Sequence, residues 1–205
     1  MMTIKVMPGN QLKLAMAILV MASSAVTPAS NASSTGATSL PDIVQVKANA
    51  KRYGGTLKAL LKKTLTEEGP VAAIDVCSNE AGRIGGEISR ETGWSIRRVS
   101  NLTRNPLAMP DQYEAQMLKV FAQKIAQRPD TTALAKYEVV TENGVSYARF
   151  MKGIRVQAVC LACHGSVDKK SAVGKKLAQS YQHDKARGYK LGDLRGALSI
   201  KIKLD

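Results

Sequence analysis

Residues 160–164 read Cys-Leu-Ala-Cys-His, and no other stretch restricts what this chain can fold around so tightly. On one helical turn the two sulfurs of a C-x-x-C-H run face the same side, and the following imidazole swings toward the same space. This is the spacing that attaches c-type haem. A domain built on haem gains a large flat filler, and aromatic residues make up only 4% of this chain. Two other chemistries use the same residue types. A zinc site would draw on Cys160, Cys163 and Cys77 with His164 or His183. A redox-active C-x-x-C of the thioredoxin kind needs a βαβ pattern ahead of it, and none precedes Cys160.

The N-terminus bears on the same choice. Lys5 and Lys13 precede an uncharged run, Leu14 to Ala22, which is about half the ~20 residues of a spanning helix. A Ser/Thr/Ala/Pro-rich stretch follows, to Ser39. This order is that of a signal peptide, with cleavage expected between Ala29 and Ser33. The expected organisation is a leader over 1–32, a flexible tether over 33–42 and one domain over 43–205, exported to the periplasm. No cysteine follows the apolar run closely enough for a lipid anchor. Haem c is attached outside the bacterial cytoplasm, so leader and motif support each other. Three cysteines in an exported chain, Cys77, Cys160 and Cys163, also cannot form a fully paired disulfide framework.

The formal charge is +14, and losing the two leader lysines lowers it to +12. Ten Lys or Arg lie between Gly165 and Asp205 against four Asp, next to the motif. A basic rim of this kind suits an acidic redox partner. Nucleic acid is not expected, because the chain is exported and its aromatics are not interleaved with the basic residues. Membrane contact is expected through the leader alone.

From Ile43 the apolar positions Ile43, Val46, Ala50, Tyr53, Leu57 and Leu60 step by threes and fours, predicting a long helix that ends near Gly69-Pro70. Its stripe serves core packing, or a homodimer seam. A second helix is predicted from Ala72 through Cys77 to Thr92, stopped by Gly93. Trp94 to Val99 reads as extended and Asn101–Met109 as a loop. Pro110-Asp111 opens a helix to about Arg128, with Tyr113, Met117, Val120, Phe121 and Ile125 inward. Asn143-Gly144 between two β-prone runs predicts a hairpin. Short helices follow near Val156–His164 and Ala172–Tyr181. Alternation over Ala197–Ile202 predicts a half-buried strand. Together these imply an α+β fold with a small antiparallel sheet flanked by helices.

If haem is bound, its second axial ligand comes from Cys77, His183, a Met such as Met109 or Met117, or water. Arg97, Arg98, Arg104 and Arg195 are candidate partners for its carboxylates, since a guanidinium matches a carboxylate bidentately.

Four segments carry a family resemblance: Ala73-Ile74-Asp75-Val76-Cys77-Ser78; Arg104-Asn105-Pro106 with Pro110 and Glu114; the C-x-x-C-H-Gly of 160–165; and Gly188-Tyr189-Lys190-Leu191-Gly192-Asp193-Leu194-Arg195-Gly196-Ala197. Over about residues 43–203 the chain resembles a family of exported, PAS-like haem c domains of uncertain function, whose members occur alone and as extracytoplasmic sensor parts of membrane receptors. The resemblance implies covalent haem on Cys160 and Cys163, with His164 as one axial ligand and Cys77 as the other. It departs at Ala108, where the family more often carries Asn. A thiolate ligand would favour Fe(III) and lower the potential, and an exogenous ligand would have to displace Cys77. The expected function is one-electron transfer with an acidic partner, or, alternatively, redox or small-gas sensing of a diatomic ligand through a separate output protein. A peroxidase-like enzyme is the least supported class, since two histidines leave little acid/base equipment.

Overall fold

A computed structural model describes residues 40–204. The expected leader and most of the tether lie outside the described residues. The Asp42 carboxylate accepts a hydrogen bond from the Val44 N–H and starts helix α1, Ile43–Glu67. Val46, Ala50, Tyr53 and Leu57 recur on its buried side, so its apolar stripe is spent on the protein's own core.

Gly69 takes a left-handed φ of 86° after α1, and Pro70 follows within the first turn of α2, Gly69–Asp75. Its helical path continues through a π-helical turn, Val76–Glu80, into α3, Ala81–Thr92. Gly93, left-handed at φ 72°, ends it and donates its N–H to Ser89 O. The expected second helix is present but begins earlier and is widened at Cys77.

Strands β1 (Ser95–Val99), β2 (Ala135–Glu142), β3 (Val145–Arg155) and β4 (Leu194–Lys203) form one antiparallel sheet in the order β1-β4-β3-β2. Asn143 and Gly144, at φ 51° and 79°, make the β2–β3 turn that the sequence announces. Helix α4, Gln112–Gln127, is fixed by a capping box between Asp111 and Glu114. Helices α5 (Ala158–His164) and α6 (Ala172–Ser180) lie between β3 and β4 in the chain. The α+β expectation, with a small antiparallel sheet and a long first helix, is met.

β4 is not half-buried, as its alternation suggested. Leu198, Ile200 and Ile202 join Ile96, Phe150 and Ala148 in a core against α1 and α3. Ala197 on the opposite side joins Val99, Met151, Leu118, Phe121 and Leu134 in a second core with α4. A strand between two neighbours, covered on both faces, needs no polar side. The inner face of α4 is also turned slightly from expectation: Leu118 and Phe121 are buried, while Val120 is only half-buried.

Candidate functional site

At one end of the first core the sheet, the π-helical turn and α5 leave a cavity of about 290 Å³, at the lower end of the roughly 300–1,000 Å³ usual for small-molecule sites. Ile96, Arg98 and Gly196 form its sheet wall, Cys77 its helical wall, and Cys160, Cys163 and His164 its third side. Gly196 has no alternative here: at φ 153° a Cβ would stand 2.2 Å from Val99 O. Cys77 lies in the π-helical turn, a widening frequently found at functional positions.

The structure thus brings Cys77, Cys160, Cys163, His164, Arg104 and Arg195 around one cavity. His183 lies outside it, in a neighbouring hollow with Gln182 and Ser180. Met109 is exposed, and Met117 packs into the second core beyond the sheet.

His164 closes α5. Its Nδ1 lies 2.8 Å from Ala186 O. A carbonyl only accepts, so Nδ1 carries the proton and Nε2 keeps its lone pair. Nε2 meets Arg195 Nε at 3.5 Å. Burial, followed by the charges of Arg195 and Arg104, pushes the imidazole pKa down to about 3, so the ring is neutral at physiological pH. Tyr189 stands edge-on to it, with ring centroids 6.1 Å apart. The Cys163 thiol is pushed up, chiefly by burial.

The arginines divide into two kinds. Arg104 is committed to the protein: its Nε donates to Asp184 Oδ1 at 3.0 Å, and its Nη2 donates to Cys163 O at 2.6 Å and Ala186 O at 3.0 Å. With side chains 8% and 4% exposed, Arg104 and Asp184 form a buried ion pair. Arg104 therefore shares the Ala186 carbonyl with His164. The surrounding strap is sewn down by Lys185 N–H to Thr103 O at 2.9 Å, Gly188 N–H to Gly165 O at 3.1 Å and Tyr189 N–H to His164 O at 2.9 Å. Arg97 is also committed, to Glu114 and to the carbonyls of Leu107 and Met109, both at 3.1 Å. Arg195 donates to Ser100 Oγ at 2.9 Å and lies 5.4 Å from the Tyr189 ring centroid. Among the described residues neither Arg195 nor Arg98 has a carboxylate partner.

These donors surround a space and do not converge on a point. Among the described residues no three His, Cys, Asp or Glu side chains are grouped to hold a metal ion, which disfavours a zinc cage. Two thiols on one helical turn, a neutral imidazole with its far nitrogen anchored, a third thiol and two guanidiniums without carboxylate partners fit a flat, dianionic group attached at its edge and ligated at its centre. Arg195 would have to withdraw from Nε2 to admit a metal there.

A family model described as Tll0287-like matches residues 13–203. The chain belongs to the Tll0287-like family. Among solved structures it is similar to that of the cyanobacterial heme-protein Tll0287, at 26% identity and a TM-score of 0.60, over 78% of this chain and 93% of that one. No curated protein matches.

Sequence reasoning did not find two features of this Tll0287-like domain. One is the buried Arg104–Asp184 pair, for which Asp184 gave no signal, lying in a polar stretch beside His183. The other is Arg149, fully buried in the face opposite the cavity. It meets Glu142 at 2.9 Å and Asp111 at 2.7 Å, with the Tyr113 ring centroid 4.6 Å away.

Proposed function

We propose that this protein binds one haem c covalently and works as an exported one-electron carrier. The observation that carries the reading is the imidazole of His164, anchored through Nδ1 in the wall of the cavity that Cys160, Cys163 and Cys77 also line, with Arg195 Nε 3.5 Å from its Nε2 lone pair. The family relative's description as a haem protein supports it. Bound there, haem supplies a one-electron iron couple. Cys160 and Cys163 would hold it covalently through their two sulfurs. His164 Nε2 and Cys77 Sγ would hold its iron, and a thiolate from Cys77 would favour the ferric state and a low potential. Arg98 and Arg195, the guanidiniums without carboxylate partners, receive the propionates. The basic segment after Gly165 docks an acidic redox partner in the periplasm.

The π-helical turn at Cys77 favours a second reading, a sensor in which Cys77 leaves the iron to a diatomic ligand. The absorption spectrum of the exported protein, oxidised, reduced and then exposed to CO, separates the two. A six-coordinate c-type spectrum indifferent to CO is the carrier's; prompt CO binding on reduction is the sensor's; absence of haem bands removes both. Changing Cys160 and Cys163 to Ala is expected to leave no haem that survives denaturing extraction, and persistence of covalent haem in that variant would refute the attachment.

A further inference from the structure

We infer that the outer face of α1 is a docking surface for an anionic lipid membrane. Lys47, Lys51, Lys58 and Lys62 are spaced by 4, 7 and 4 residues, which at 100° per residue puts them within an arc of about 60° along some 22 Å of helix. All four are exposed, on a face centred about 120° round the helix from the buried Val46, Ala50, Tyr53 and Leu57. The helix holds six Lys or Arg and one carboxylate, Glu67. The two remaining cations are spoken for, Arg52 by Glu91 and Lys63 by Glu67. Among the described residues none of the four lysines of the row has an ion-pair partner.

Charge complementarity requires an anionic occupant, and the residue types choose which. A second copy of this face would set lysine against lysine. A specific acidic protein would call for arginine forks and aromatic anchors, the residues enriched at protein interfaces, where lysine is depleted. The row contains neither: its gaps hold Gly54 and Gly55, beside which a Cβ would meet nothing within 4 Å. A straight, shallow line of point charges suits lipid headgroups. At its N-terminal end Leu40 and Val44 stand 54% and 68% exposed, apolar side chains placed to enter the interface once the lysines have brought the helix down.

The test is co-sedimentation of the expressed full chain with vesicles of phosphatidylcholine alone and of phosphatidylcholine with a quarter phosphatidylglycerol. Binding that requires the anionic lipid and weakens as salt shortens the Debye length is expected. K47Q/K51Q/K58Q/K62Q should lose roughly fivefold in partitioning per lysine, while K169Q/K170Q/K175Q/K185Q, equal in charge and on a different surface, should lose much less. Equal binding to both vesicles, no binding to either, or equal loss in the two variants would overturn the inference. The absorption spectrum of each variant tests the haem reading separately, since the stripe takes no part in the cavity.

Discussion

The Ala186 carbonyl accepts from both Arg104 and His164, so the orientation of the imidazole depends on a buried charge in the cavity wall. Arg104→Ala would leave the buried Asp184 with Arg187 as its one remaining cation, and a loss of about 3 kcal/mol in urea denaturation is expected. Burial by itself raises the Asp184 carboxyl. The Arg104 hydrogen bond, the Ala186 N–H and the charges of Arg104 and Arg187 outweigh it, and the net pKa is lowered. A depressed carboxyl stabilises fully above its unfolded pKa of about 4, and that contribution is lost as pH falls through the lower folded value. Denaturation midpoints should therefore drop steeply below about pH 4, and Asp184→Asn should be less stable at neutral pH with a flatter acid limb. Cys77→Ala is expected to raise the reduction potential and change the oxidised spectrum; an unchanged spectrum would return Cys77 to a packing role. At this scale the motif residues were legible because their chemistry is local. Asp184 and Arg149 were not, because the burial of each rests on a partner far away in the chain, Arg104 for the one and Asp111 for the other.

The elements were legible wherever a local signal is also the structural cause. Gly93 and Gly144 adopt positive φ, and Asp111 forms its capping box, as their types suggest. The widening at Cys77 has no such signal, since Val76-Cys77-Ser78-Asn79-Glu80 would suit an ordinary helical turn. Both-sided burial of β4 was hidden as well: alternating Ala197, Ser199 and Lys201 reads as a wet face until α4 is known to lie beneath it. Glycine discriminates the two ends of this sheet. Gly144→Ala faces open space and only a strained φ, whereas Gly196→Ala drives a methyl into Val99 O. Thermal unfolding should show the second as the costlier change, and the cavity wall as the part disturbed.

On the scale of the whole molecule, the sheet separates two cores, and the cavity opens from the one built with α1 and α3. Phe121→Ala, in the other core, should cost about 3–5 kcal/mol of stability in denaturant while leaving the absorption spectrum unchanged. A spectral change would mean that the sheet transmits what the packing suggests it insulates. The strap over α5 has a further consequence, for motion. The amides of Lys185, Gly188 and Tyr189 donate to two segments, the loop at Thr103 and the end of α5 at His164 and Gly165, and Arg104 donates to the Ala186 carbonyl of the same strap. None of these bonds can break by fraying at one end, so the three amides should exchange with deuterium at a common rate, as one opening unit. That rate is the rate at which the imidazole loses its anchor.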